Sequence, residues 1–323
     1  MAVQGTHTPV MLKEVLDALS PRDGGIYVDG TFGGGGYSRA VLDAADCTVW
    51  GIDRDPEAVA RGAELSKEYP NRLNVIDGRF GDMDRLLADV GVDAVDGVAL
   101  DIGVSSMQID DASRGFSFRE NGPLDMRMDK AGSSAADVVN GFAEEELADL
   151  IYKYGEERAS RRIARAIVSA REIAPITTTG QLASVIRRVL PRARDGIDPA
   201  TRTFQALRIY VNEELSELDR GLAAAEKLLK AGGRLAVVSF HSLEDRMVKL
   251  FTRQRSGSVA RGSRHLPESG ETGPAPTFWL VSKRPIKPSD EECRSNPRAR
   301  SARLRAAERT DAPAYSLHNG GAA

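Results

Sequence analysis

Cysteine is scarce in this chain, with only Cys47 and Cys293 among 323 residues. The two stand far apart and share no paired spacing, so neither a metal site nor a disulfide framework is expected. Histidine is almost as rare, at four residues. No apolar run approaches the ~20 residues that span a bilayer. Residues 1–8 lack the basic segment and apolar stretch of a secretory signal. No internal repeat is present. These absences point to a soluble cytoplasmic protein with no membrane contact. The G-x-G-x-x-G fingerprint of dinucleotide binding is also missing, because counting from Gly33 its last position falls on Ser38.

What the chain does contain is a glycine cluster. Residues 25–38 read as a short apolar run ending in Asp29, then Gly30 and Gly33 to Gly36, then a helix from Ser38 to Ala45. Glycines permit positive φ and close approach of a ligand, and the helix start offers unpaired N–H groups. About twenty residues on, a second apolar run ends in Asp53, placed to accept from both hydroxyls of a ribose. Asp29 stands where a pyrophosphate would be repelled. S-adenosylmethionine has no phosphate, and its ammonium tolerates a carboxylate, so the loop favours a methyltransferase over a dehydrogenase.

Charge is unevenly spread. The chain as a whole is −3, yet residues 158–208 hold eleven arginines, no lysine and three acids, and residues 251–323 hold thirteen basic residues against seven acids. Two basic zones on an acidic body suggest a polyanionic partner, for which the arginine fork is suited. The bland alternative is a solubilising helix surface.

Strand-like runs near 26–30, 48–53, 73–77 and 95–101 alternate with helical stretches such as 56–68, which predicts a parallel doubly wound sheet. From about 135 to 225 the apolar spacing is helical, with Ser134 and Thr179 as candidate caps and Gly155 and Gly196 as interruptions. Strand character returns at 234–240 and 277–281. The expected architecture is a discontinuous sheet domain, residues 1–110 and 216–305, around an inserted all-helical domain, 111–215. A Ser/Gly/Arg/Pro-rich loop is expected at 255–276 and a frayed tail at 306–323.

The fourth strand ends in Asp101, with Ser105 close behind, where catalytic groups of such sheets gather. An exocyclic base amine is a poor nucleophile, because its lone pair is delocalised into the ring. Hydrogen bonds from its N–H groups to a carboxylate or hydroxyl help free that lone pair and aim it at a sulfonium methyl. Asp101 is the leading candidate for this role; the alternative is a carboxylate that caps the following turn.

Nine segments then carry a resemblance. They are residues 7–12 (HTPVML), 29–33 (DGTFG), 52–56 (IDRDP), 101–108 (DIGVSSMQ), 114–118 (RGFSF), 122–128 (GPLDMRM), 203–209 (TFQALRI), 239–246 (SFHSLEDR) and 296–301 (NPRARS). In kind, order and span the chain resembles the bacterial small-subunit ribosomal RNA methyltransferase H family, which methylates N4 of a cytidine in the decoding region of 16S rRNA. The resemblance implies a class I S-adenosylmethionine-dependent, Rossmann-like fold and rRNA within the small ribosomal subunit as partner. It also implies cofactor contacts at Gly35, Gly36, Tyr37, Asp53, Phe80, Asp101 and Gln108. Two positions depart from the family, which usually has His at Tyr37 and Pro at Met107.

Several residues keep two readings. His241, after the fifth strand, either contacts the substrate or makes a local hydrogen bond. Phe116 and Phe118 either stack on a flipped base or pack in a core. Arg127, Arg208 and Arg246 hold either phosphates or the inserted domain, whereas Arg187, Arg188 and Arg192 belong to the first basic zone. His7 would form part of a lid or cap. The rival function is a non-catalytic RNA-binding assembly factor that retains the fold, whose signature would be loss of Asp101 or Asp53. A small-molecule or protein methyltransferase would not need the arginine zones. A DNA amino-methyltransferase would show Pro-Pro and an aromatic after the acid, where this chain has Ile102, Gly103 and Val104.

Overall fold

A computed structural model describes residues 9–190, 196–257 and 274–315. The chain divides into two compact units, Met1–Gly103 with Glu217–Ala323, and Val104–Ser216. The division therefore falls after Gly103 and after Ser216, where breaks after residues 110 and 215 were expected.

In the first unit the chain runs α1 (Leu12–Leu19), β1 (Ile26–Asp29), α2 (Gly36–Ala44), β2 (Thr48–Asp53), α3 (Pro56–Leu65), β3 (Leu73–Asp77), α4 (Met83–Ala88) and β4 (Val95–Asp101). The four strands match the expected apolar runs; β1 and β4, inside the parallel sheet, are buried along almost their whole length and so read as nearly continuous apolar sequence, whereas the edge strand β3 is mostly half-buried. Asp55 caps α3 by accepting from Glu57 N–H at 3.1 Å, with Pro56 at the first helical position.

The second unit contains α5 (Ser106–Asp110), α6 (Ala135–Gly141), α7 (Glu144–Gly155), α8 (Ser160–Ile173), α9 (Thr179–Val189) and α10 (Thr201–Val211). Its core is built from Leu147, Ile151, Ile163, Ile167, Leu182, Ile186 and Leu207. Ser134 caps α6 as expected, but α9 is capped by Thr178, whose hydroxyl accepts from Gln181 N–H, whereas Thr179 is buried.

The chain then forms α11 (Glu214–Leu228), β5 (Leu229–Ser239), α12 (Ser242–Arg255), β6 (Phe278–Leu280), α13 (Asp290–Ser295) and β7 (Arg303–Arg309). The sheet order is β3-β2-β1-β4-β5-β7-β6. It is parallel from β3 to β5, and β7 lies antiparallel between β5 and β6. The expected parallel doubly wound arrangement is present from β3 to β5, and β7 and β6 add an antiparallel edge. The expected tail is corrected: residues up to Arg309 are in the sheet. Charge hid this strand, which contains three arginines and a glutamate, but the charges are met locally. Arg305 pairs with Asp245 at 2.7 Å, and the buried Arg309 donates to the Glu226 carbonyl at 2.9 Å. Of the expected 255–276 loop, residues 258–273 lie outside the described residues, as do His7, Arg192 and residues 316–323.

Candidate active site

Strand order reverses between β1 and β4, and the crevice at their carboxyl ends is where open α/β sheets bind ligands. The loop after β1 is held there from below. Gly30 N–H donates to the Ala99 carbonyl at 2.9 Å, and Asp101 N–H donates to Thr31 Oγ1 at 2.7 Å.

Asp29, 3% exposed, accepts from Ser38 Oγ at 2.7 Å and Ser38 N–H at 3.2 Å, so it ties the start of α2 back to its own strand. Burial is the main reason its carboxyl is pushed up to about 6. Gly35 adopts φ +73°, and a Cβ there would stand 2.7 Å from both Phe32 and Leu65. A Cβ at Gly36 would collide with the Pro9 ring. The helix therefore starts at Gly36, two residues before the expected Ser38, and its first-turn N–H groups at Gly36 and Tyr37 have no intrahelical partner. The Tyr37 side chain is buried and its hydroxyl donates to the Val10 carbonyl. Its phenol is committed to the core, and only its backbone N–H is left for a ligand.

Asp53 closes β2. Its Oδ2 accepts from Gly33 N–H at 2.7 Å and its Oδ1 from Asp55 N–H at 2.8 Å. Each oxygen retains a second lone pair, which is what two adjacent ribose hydroxyls require. Burial raises this carboxyl as well. Phe80 opens a 3₁₀ turn (Phe80–Asp82) after β3, packed close to Gly30 and over Gly221, where a Cβ would stand 2.4 Å from its ring. This is a cradle that fits a nucleoside: a carboxylate for the ribose, a half-buried aromatic beside it, and helix-start N–H groups for a carboxylate. Replacing Asp53 by Ala should weaken S-adenosylmethionine binding by about 1.5–3 kcal/mol, the range for hydrogen bonds to a charged group. Calorimetry that returns the wild-type affinity in a folded variant would remove Asp53 from the site.

Sequence reasoning missed the brace beneath this wall. Arg54 donates to Glu217 Oε2 at 2.9 Å, with the two side chains 9% and 2% exposed. Arg79 and Arg220 also lie near this carboxylate, and burial still pushes it up against their pull. Its only sequence signal is an arginine between two acids in residues 53–55, with no hint of the partner.

Asp101 ends β4 and is half-buried. Gly103 N–H approaches its Oδ1 at 3.4 Å. Burial, with smaller contributions from Asp29 and Glu244, pushes the carboxyl up to about 7. It is thus near half-ionised at neutral pH, unlike an ordinary surface aspartate. His241 sits at the N-cap of α12. Its Nδ1 accepts from Glu244 N–H at 3.4 Å, its Nε2 lies 2.9 Å from Glu244 Oε1, and Glu244 in turn accepts from Phe240 and His241 N–H. The imidazole is turned onto its own helix.

A family model, the MraW methylase family, matches residues 4–310. The chain belongs to that family. It is 63% identical over 309 residues to the ribosomal RNA small subunit methyltransferase H of Paramagnetospirillum magneticum strain AMB-1, covering 96% of this chain and 97% of that one. It is 60% identical over 318 residues to the protein of the same name from Rhodospirillum rubrum, covering 98% of each. The sheet with its carboxyl-edge cofactor cradle is the Rossmann-like class I methyltransferase fold. No described helix is long and apolar enough to cross a membrane. The ring of Tyr37, expected as a departure from the family pattern, packs inward, so a ligand contact at this position would fall to its backbone.

Within the helical unit, Ser105 and Gln108 form a reciprocal cap on α5. Gln108 N–H donates to Ser105 Oγ at 3.2 Å and Ser105 N–H to Gln108 Oε1 at 3.1 Å. Two of the arginines that kept two readings are paired within the unit. Arg127 is bidentate on Asp125 (2.9 and 2.7 Å), and Arg208 is bidentate on Glu214 (both 2.7 Å), so each guanidinium fork is already filled by a carboxylate. Arg187 pairs with Asp198 at 2.9 Å and lies over the Phe118 ring. Phe118 meets Phe204 edge-on at 4.7 Å and Phe116 is in the core, which is the packing alternative for both. Arg188 is exposed with no partner among the described residues, and Arg246 is exposed on α12.

Proposed function

We infer that this chain transfers the methyl group of S-adenosylmethionine to N4 of a cytidine in the decoding region of 16S rRNA, acting on small-subunit rRNA in the cytoplasm. The observation that carries the reading is the pair of acids at the carboxyl edge, Asp53 and Asp101, joined through the glycine loop in a chain so similar to proteins named for rRNA methylation. Bound S-adenosylmethionine supplies an electrophilic methyl. Asp53 would hold the ribose, Phe80 would flank the adenine, and the N–H groups of Gly36 and Tyr37 would receive the carboxylate end. Asp101 would accept an N–H of the cytosine amine, concentrating the nitrogen lone pair toward the methyl and stabilising the partly cationic amine as the bond forms. No strong base is needed, since the methylated nitrogen is acidic until it sheds its proton.

The assembly-factor reading gains no support, because both acids whose loss would mark it are present, half-buried at the carboxyl edge. Mass spectrometry of small-subunit rRNA from cells lacking this protein should show one N4-methylcytidine signal lost, and restored by the wild type but not by Asp101→Asn. An unchanged nucleoside profile would overturn the assignment.

A further inference from the structure

The helical unit carries a groove of about 870 Å³ that methyl transfer itself leaves without a task. It runs between α8 and α9, which are joined only by residues 174–178 and so lie antiparallel. Two matched spacings in the sequence build its walls. On α8, Ala166, Ala170 and Ile173 recur at helical intervals along one face, and on α9, Gln181, Ser184 and Arg188 do the same. Ile173 is 89% exposed, more than any other large apolar side chain among the described residues. The middle of the groove is therefore apolar and open.

Its two ends offer donors of different kinds. At the turn end, Gln181 Oε1 accepts from Thr177 and Thr178 N–H at 2.8 and 3.0 Å, and Asn121 Oδ1 accepts from Gly180 N–H at 2.9 Å. A Cβ on Gly180 would stand 2.6 Å from that oxygen, so only glycine lets the two approach. With its oxygen pinned, each amide keeps its NH₂ hydrogens for a ligand. The far end is cationic. Arg188 lines it, and Arg162 stands one turn before Ala166 on the same face of α8. Both arginines are exposed and neither side chain has a partner among the described residues. No carboxylate lines the groove among those residues.

We propose that the groove between α8 and α9 holds an unpaired nucleotide of the rRNA, its base over the apolar middle and its phosphates on Arg162 and Arg188. A nucleobase has flat apolar faces and an edge rich in acceptors, which the two pinned amides can meet. The arginine forks suit phosphate oxygens. Gln181 and Arg188 are seven residues apart, about 10 Å along the helix axis, and one nucleotide spans that from base edge to phosphate once side-chain reach is added. An apolar protein helix laid in the groove would bring no acceptors for the amides and no charge for the arginines. The inference rests on rRNA being the substrate and adds where the helical unit grips it.

The test compares wild type, R162Q/R188Q, R162K/R188K and S184W for binding to protein-free 16S rRNA and to small ribosomal subunits over a range of KCl. In the glutamine variant the slope of log affinity against log salt should flatten by about 1.4 on free rRNA, at ~0.7 per lost phosphate contact on a single strand. Lysine should restore most of the slope. Ser184→Trp fills the groove and leaves both arginines, so it should weaken binding about tenfold, the scale of one lost ligand contact. Cofactor affinity should be unchanged in every variant. An unmoved slope in the glutamine variant, or wild-type binding by S184W, overturns the assignment. So does a loss confined to subunits, or a wild type that does not bind free rRNA, since either would indicate a ribosomal protein as the partner. All three substituted positions are exposed. Should a variant still fail to fold, R188Q alone should flatten the slope by about 0.7. Wild-type protein that binds rRNA but leaves it unmethylated would defeat the proposed function instead, because binding is read independently of turnover.

Discussion

Asp101→Asn is expected to lower single-turnover methylation by about a hundredfold or more, the scale for losing one preorganised electrostatic group. Asparagine keeps the shape and one acceptor oxygen but removes the charge that favours a partly cationic amine. The pH dependence follows from the elevated carboxyl. The ionised form is the better acceptor, so wild-type turnover should rise with pH through a midpoint at or below 7, the bound sulfonium favouring the carboxylate. That step should vanish in the variant. Stability should move the opposite way. A carboxyl raised to about 7 in the fold stabilises the folded state below its unfolded pKa, and that contribution is lost as pH rises toward 7. Above pH 7 the wild type bears the full cost of a buried charge and the variant bears none, so the cofactor-free variant should melt higher. A variant that melts lower at pH 8, or turns over like wild type, would remove Asp101 from the acceptor role.

Glu217→Ala should be the most damaging change to the fold of the sheet unit, at about 3–5 kcal/mol in chemical denaturation, because it leaves the Arg54 guanidinium buried without its carboxylate. Replacing both partners by methionine should recover much of that loss, since no charge is then stranded. Cofactor affinity should fall in the single variant at temperatures where it is still folded, because Arg54 directly follows Asp53 and the 3₁₀ turn of Phe80 leans on the same brace. A single variant as stable as wild type would show that the pair is solvated rather than buried.

The parts of this molecule legible in its sequence are those where one residue's environment is set by its neighbours along the chain. The four parallel strands announce themselves through apolar runs, and Asp53 and Asp101 through their position at the ends of those runs. The roles that stayed hidden depend on distant partners. Nothing in the sequence near Arg127 or Arg208 separates an arginine that grips Asp125 or Glu214 from one that awaits a phosphate. Glu217 looks like one more acid on an amphipathic helix until Arg54 is placed beside it. Residues 306–309 read as the start of a frayed tail because Arg309 finds the Glu226 carbonyl only after α11 has packed. Tyr37 was legible as a loop residue but not as a core residue, since its partner is the carbonyl of Val10.

The place of β7 bears on how the protein is made. The last of the described strands is not added at the rim of the sheet but inserted between β5 and β6. While the polypeptide is still emerging during translation, β5 presents an open row of backbone donors and acceptors, and β6 has no neighbour to join. Such an edge invites pairing with other chains. The sheet closes only once Arg309 has emerged, so synthesis halted before Arg303 would yield not a shortened enzyme but one missing an interior strand, ready to aggregate.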